Sequence, residues 1–290
     1  MEAKGLTISM IFEAQSANYG EGVGNVTSLK KLTRGNGESY TYISRQAMRY
    51  NMVNQMGIDT TKLDLDKEVI QFSVDATIMD SAEIDLFGYM KTKKPVRTRA
   101  AVCRLSNAVS LESFNSDLDF LTNKGLLDRY NETAEKKKDG GNIAQTEIHK
   151  SYYAYTITID LDKVGIDGEY EVSNEEKCKR VNLLLDTIKF LYRDIKGRRE
   201  TLSPIFAIGG IYSRKNPFFE NKLVIKNNKI VTEALEGVLS LDNAIKDNTR
   251  VGLIKGIFNN DNNIMERLNA MGMGEFFNEL NSEVTSYYNR

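Results

Sequence analysis

Two segments of this sequence carry residue types spaced for chemistry. In Tyr42-Ile43-Ser44-Arg45-Gln46-Ala47-Met48-Arg49, Ser44 suits a helix cap, and Arg45 and Arg49 are four apart on one face of the helix that follows. Cations in a first turn oppose the helix dipole by roughly 0.3–1 kcal/mol each. No acid follows to offset them. Amides at a helix start together with two guanidiniums form a phosphate site. The competing reading is that both arginines pair with acids remote in sequence. In the second segment, Ser213-Arg214-Lys215-Asn216-Pro217-Phe218-Phe219, two cations stand beside two aromatics, shortly after Gly209-Gly210. Cations next to aromatics suit stacking on unpaired bases or wedging between them. The alternative is that Phe218 and Phe219 close a core near the C-terminal helices, with one ring free to do each job.

Other candidate chemistry is weaker. Gly20, Gly22, Gly24, Asn25, Lys30, Lys31, Arg34, Gly35 and Gly37 lie upstream of Ser44. Glycines that bind nucleotides join a strand directly to a helix, whereas here a long polar stretch intervenes and no Gly-Lys-Ser/Thr is present. A loop draped over a nucleic-acid backbone fits this composition better. His149, beside Lys150, reads as a solvated histidine. No tight group of Asp, Glu or His suggests a metal site, and Cys103 and Cys178 read as small apolar core groups. The sequence does not read as an enzyme, and neither cofactor nor metal is expected.

The chain has 290 residues, with 39 Lys+Arg against 40 Asp+Glu, one His, two Cys and no Trp. Its 41% apolar and 27% charged content exclude wholesale disorder. Two distant cysteines exclude a disulfide framework, and no apolar run is long enough to span a bilayer. The start lacks the character of a signal peptide, so a soluble cytoplasmic protein is expected. Charge is segregated: Ser39–Ile58 has two arginines and no acid, and Leu86–Leu111 has Lys91, Lys93, Lys94, Arg97, Arg99 and Arg104 with none. This suggests a basic path on the surface, although a random charge walk gives the same count.

These residues need a frame to position them. Leu6, Ile8, Met10 and Phe12 alternate as in a half-buried strand. A polar loop is expected from Glu13 to Ile43, then a helix over Ser44–Met56 ended by Gly57. Strand-like pieces occur near Val69–Val74, and Val96–Leu105 reads as one strand. Glu132–Lys150 has no apolar period and reads as a mobile loop. Tyr152–Leu161 is a strong strand. Ser173-Asn174-Glu175-Glu176 has capping-box spacing and opens a helix whose stripe continues through Ile195. Pro204–Tyr212 is a core strand, Lys222–Val231 a hairpin turning at Asn227-Asn228, and helices are expected near 233–246 and 262–288.

Without the inserts the order is strand–helix–strand–strand–helix–strand, which is ferredoxin-like and also that of the RNA-recognition motif. The aromatic sheet signature of an ordinary RNA-recognition motif is missing.

The segment Ile43–Arg49, led by its glycine-rich loop, resembles the Ile-Ser-Ser-Gln-Ala/Ser-Leu-Lys/Arg signature of the Cas-seven family, the repeated backbone subunit of CRISPR Cascade complexes. Ser16-Ala17-Asn18-Tyr19-Gly20, Asp85-Leu86-Phe87-Gly88, and Gly209-Gly210 followed by Asn216-Pro217-Phe218-Phe219 resemble its DevR autoregulator branch, typical of type I-B systems. The likeness spans roughly residues 5–245. It implies an α+β fold with an RNA-recognition-like palm (1–57, 151–196 and, with the C-terminal helices, 223–290). Finger insertions at 58–150 would surround a palm strand at 96–105, with a thumb at 197–222. It implies a non-catalytic subunit that binds CRISPR RNA, stacks head to tail with copies of itself, meets other Cascade subunits, and presents the guide to a target DNA strand. Asn18, Lys30, Lys31, Ser44, Arg45, Gln46 and Arg49 would contact guide phosphates, joined by Arg214 and Lys215. Phe218 or Phe219 would wedge at a displaced base. Position 45 is Arg where many relatives have Ser. Phosphate contacts suit a protein that must accept any spacer, and a modest basic track repeated along a filament gives affinity by multivalency. Two alternatives are an RNA-cleaving type III-like backbone, which would use an Asp in the loop before the first helix, and a transcriptional regulator. Between Phe12 and Ser44 the only acids are Glu13, Glu21 and Glu38, and no helix-turn-helix is legible.

Overall fold

A computed structural model describes residues 2–15, 18–23, 26–35, 37–140 and 143–289. Ser16 and Ala17 of the Ser16–Gly20 segment, and Gly24 and Asn25 of the glycine-rich stretch, lie outside the described residues. The fold is mixed α+β around a nine-stranded sheet. Its central elements are β1 (Gly5–Ala14), α1 (Arg45–Gln55), β2 (Cys103–Leu105), β3 (Ser151–Asp160), α2 (Asn174–Lys189), β4 (Phe206–Tyr212), β5 (Thr249–Leu253) and α3 (Met273–Tyr288).

β1 lies between β3 and β4, antiparallel to both. β2 pairs with the far side of β3, and β5 with the far side of β4. The strands therefore run β5-β4-β1-β3-β2 across the sheet. β1 is buried on both faces rather than half-buried. Leu6, Ile8, Met10 and Phe12 enter a core shared with α1, α2 and α3. On the other face Ser9 meets Thr156 at 2.6 Å and Thr7 meets Thr158 at 3.4 Å, so each buried hydroxyl finds a cross-strand partner. Ile11 belongs to a second core, closed by the helices Thr232–Leu239, Asn243–Asn248 and Asp261–Leu268.

Two short motifs act as locks within this frame. Asp85, Leu86 and Phe87 end the helix Ala82–Phe87, and Asp85 is fully buried. Its carboxylate accepts from Arg99 at 2.6 Å, from Arg180 at 2.9 Å and from the Gly165 amide at 2.9 Å. Gly88 has φ +72°, and a Cβ there would lie 2.5 Å from the Arg99 carbonyl oxygen. At Gly210 a Cβ would lie 1.8 Å from the Asn248 carbonyl oxygen, so only glycine lets β4 pass under that turn.

Several sequence expectations change. The span 13–43 is not a plain loop: Tyr19–Val23 and Val26–Leu29 pair with each other, and Lys31–Thr33 pairs with Ser39–Ile43. Val26–Leu29 also pairs with Ile143–Ile148, a strand inside the supposed mobile loop, and that strand pairs with Asp117–Thr122. Each segment supplies the other's partner, which no local pattern displays. Val96–Leu105 breaks into Arg97–Arg99, paired with Tyr89–Lys91, and β2. The break comes where the Val102 amide bonds Leu86 O, drawing the chain over the Asp85 helix. α2 ends at Lys189, and Tyr192–Ile195 turns back as a hairpin onto Arg198–Thr201. Its corner, Lys196-Gly197, has φ +48° and +77°, the double left-handed turn of a tight hairpin. Within the 197–222 range that the resemblance assigns to a thumb, the expected core strand is present as β4, a central strand of the sheet. β5 was not legible between its flanking helices. The expected turn at Asn227-Asn228 is present, with φ +51° and +56°.

Candidate nucleic-acid interface

α1 begins as its residues dictate. Ser44 Oγ accepts from the Ala47 amide at 3.3 Å, and Met48, Met52 and Val53 face the core. Asn18 locks this start from outside: the Ser44 hydroxyl donates to Asn18 Oδ1 at 2.6 Å, and the Ser44 amide to the same atom at 3.3 Å. Asn107 Oδ1 accepts from the Arg45 amide at 2.9 Å. Two amides of the first turn are thus satisfied within the chain. What the helix start offers outward is the exposed side chains of Arg45 and Gln46.

The two arginines differ. Arg49 Nη2 lies 3.4 Å from Glu83, and its guanidinium packs over Phe87. Burial raises the Glu83 carboxyl pKa, and Arg49 pulls it back down. The remote-acid alternative therefore holds for Arg49. No acid among the described residues pairs with Arg45. Lys31 binds Glu147 at 2.8 Å and lies over the Phe114 ring, tying the small sheet to the large one. Lys30 is half-buried, its amide donating to Asn18 O and its carbonyl accepting from the Tyr42 amide.

In the second segment Lys215 is bound by Asp162, with Asp160 at 3.9 Å, while Arg214 is exposed and makes no ion pair among the described residues. Phe219 is 0% exposed and belongs to the second core, as the core-closing alternative has it. Phe218 is half-buried, edge-on to Tyr212 at 5.0 Å. Much of the basic path is likewise paired with acids, in the interior and on the surface. Arg99 serves Asp85, Arg104 pairs with Asp160 at 3.0 Å, Arg193 with Glu200 at 2.7 Å and Arg199 with Asp194 at 2.8 Å. Lys91 is buried against the Val74 and Ala76 carbonyls, and burial lowers its pKa. His149, read as solvated, is buried: Nδ1 lies 2.7 Å from Thr41 Oγ1 and Phe114 stands edge-on to the ring. Burial lowers its pKa. Cys103 is buried as expected, its thiol pushed up to about 12. Among the described residues no group of three His, Cys, Asp or Glu is placed to hold a metal ion. Nor, among them, is any helix long and apolar enough to cross a membrane.

A groove of about 380 Å³ is lined by Arg34, by Asn107, whose side chain accepts from the Arg45 amide, and by Phe219, Glu220, Asn221, Leu223 and Val224, which follow Arg214 and Lys215 in the chain. Val109 and Ala154, opposed on adjacent strands, form part of its floor. Of these residues, Arg34 is marked in the sequence by its glycine-rich surroundings, whereas Asn107 and Glu220 carry no such signal. Asn107 sits in a short turn after β2 that nothing in the local pattern marks.

A sequence search of curated proteins gives no match. Among solved structures, the chain is similar to a subunit of a "CRISPR RNA-guided surveillance complex", with TM-score 0.60, 13% identity, and coverage of 96% of this chain and 99% of that one. It is similar also to one of a "CRISPR RNA-guided surveillance complex, pre-nicking", with TM-score 0.60, 11% identity, and coverage of 87% and 93%. At such identity these likenesses establish the fold. The family model of the CRISPR-associated negative auto-regulator DevR/Csa2 matches residues 6–234, well over half of the chain. The chain belongs to the CRISPR-associated DevR/Csa2 family.

Proposed function

We propose that this chain is an RNA-binding backbone subunit of a type I (I-B-like) CRISPR surveillance complex. It holds the spacer of a CRISPR RNA for pairing with target DNA and stacks head to tail with copies of itself beside other subunits. The observation that carries this reading is that each of the two segments singled out from sequence presents an exposed cation, Arg45 and Arg214, that makes no ion pair among the described residues. Asn107, which accepts from the Arg45 amide, and Phe219, at the end of the Arg214 segment, line one groove. A strand held there through its phosphates is held without regard to sequence, which a guide holder requires. The strand order β4-β1-β3-β2, with α1 and α2 on one face, supports an RNA-recognition-like palm. In this reading the small sheet built from 19–29 and 117–148 is the finger, and the 192–201 hairpin with the Arg214 stretch serves as thumb.

The subunit is non-catalytic in this reading. Phosphate and base contacts fall to Arg45, Gln46, Arg214 and Phe218, while Asn18, Lys31, Ser44 and Lys215 hold the site's frame. Anisotropy titrations with single-stranded RNAs of unrelated sequence test the reading. It predicts similar affinities that fall steeply with salt. Selective binding of one duplex DNA would instead favour an autoregulator, and metal-dependent cutting of complementary RNA at regular spacing would favour a type III-like nuclease.

A further inference from the structure

The backbone at the start of α1 is gripped from two sides. On one side Asn18 Oδ1 accepts from the amide and the hydroxyl of Ser44. On the other, Asn107 Oδ1 accepts from the Arg45 amide at 2.9 Å. Asn107 is itself held. The amide of Ser106, the residue before it, donates to the Thr156 carbonyl at 2.9 Å, and the Ser106 hydroxyl accepts from the Thr156 amide at 2.9 Å. That hydroxyl also donates to the Asn107 carbonyl at 3.0 Å. Thr156 lies in β3, next to β1, and Ala108, the residue after Asn107, pairs with Ile43 just ahead of α1. The turn therefore forms a bracket from the middle of the sheet to the backbone of Arg45.

Arg45 stands where such a bracket matters. The amides of a first turn have no partner within the helix, and a cation there opposes the dipole. No acid occupies the first turn of α1 to offset it. A turn of this kind frays, and a guanidinium carried on a frayed turn has to be ordered each time it meets a phosphate. We propose that Asn107 is a positioning residue for RNA binding. By holding the Arg45 backbone against the sheet, it fixes where the Arg45 guanidinium meets the strand, and it acts through Arg45 rather than by touching RNA. The inference rests on the RNA-binding reading above.

The test is a double-mutant cycle in the full chain, with a single-stranded RNA that spans one protomer and anisotropy read at several salt concentrations. Asn107→Ala is expected to weaken binding by about two- to tenfold, the equilibrium equivalent of one net hydrogen bond, and to lessen the salt dependence. In the Arg45→Ala background the same substitution is expected to change neither affinity nor slope. Hydrogen exchange over residues 43–49, followed by mass spectrometry, quickens in Asn107→Ala while the rest of the chain exchanges as in the parent. Ser106→Ala loosens the bracket without altering the Asn107 side chain and gives the same pattern with a smaller loss, which keeps the test decisive if Asn107→Ala does not fold. A loss of equal size in both backgrounds overturns the positioning role, because Asn107 then acts on the strand directly or on the fold as a whole. Unchanged affinity and slope in Asn107→Ala, in a parent that binds RNA, also overturns it and leaves the RNA-binding reading standing. If the parent binds no single-stranded RNA, that reading falls and this inference falls with it.

Discussion

The geometry divides the cations of the candidate interface into two classes, and the division has a measurable consequence. Arg45 and Arg214 are exposed and make no ion pair among the described residues, whereas Lys31 is neutralised by Glu147 and Lys215 by Asp162. A cation already paired with a carboxylate displaces few counterions when a strand arrives. Each unpaired cation that replaces a counterion on single-stranded nucleic acid adds roughly 0.7 to the slope of log K against log salt. The double variant Arg45→Ala/Arg214→Ala is therefore expected to flatten that slope by about 1.4, twice the single-site value. Between 50 and 200 mM salt the parent would lose about sevenfold more affinity than the variant, by the same relation. Lys31→Ala/Lys215→Ala would leave the slope nearly unchanged while lowering thermal stability, because it strands two acids and unties the small sheet. The assay is fluorescence anisotropy at several salt concentrations, with an RNA that accommodates one protomer so that stacking does not multiply the slope. Equal flattening by both double variants would refute the division, as would a flat slope in the parent.

The buried lock at Asp85 yields a stability prediction: Asp85→Asn leaves Arg99 and Arg180 short of a charge partner and should cost about 3–5 kcal/mol in urea unfolding. The salt slope of RNA binding by the variant that remains folded should be unaffected. Gly210→Ala drives a methyl into the Asn248 carbonyl and should cost about 1–3 kcal/mol or prevent folding, whereas Gly237→Ala, with open space around it, is tolerated. His149 is held neutral by burial, with its pKa lowered from 6.5, so the unfolded chain binds its proton first. Its contribution to stability is complete above pH 6.5 and is lost as pH falls from 6.5 through the lower folded value. Urea midpoints measured down this range should fall less steeply in His149→Gln, and a parallel decline in both proteins would exclude the histidine as the cause.

Elements built from local pattern were legible in the sequence, whereas those that depend on a distant partner were not. Met48, Met52 and Val53 spaced on one face, with Ser44 before them and Gly57 after, are enough to specify α1. The strands Val26–Leu29 and Ile143–Ile148 are polar and weakly alternating, and the pairing that joins their two hairpins into one sheet spans more than a hundred residues. The apolar stripe of α2 runs on through Leu191, Tyr192 and Ile195, yet the left-handed Lys196-Gly197 corner and the Arg193–Glu200 pair favour a hairpin there. For the site, the residue types in the two segments were readable, but their partners were not. Arg49 and Lys215 look alike with Arg45 and Arg214 in sequence, and only the fold brings Glu83 and Asp162 to neutralise the first two. Phe219 is indistinguishable from Phe218 until the second core closes over it.

The most direct test of the account is what the protein carries when purified alone at moderate salt. A stacking RNA-backbone subunit would emerge as large, heterogeneous particles with an elevated 260/280 nm absorbance ratio. The extracted nucleic acid should be RNase-sensitive, with nuclease protection at a regular interval set by the protomer. A monomer free of nucleic acid, which also leaves added single-stranded RNA unbound, would contradict the account.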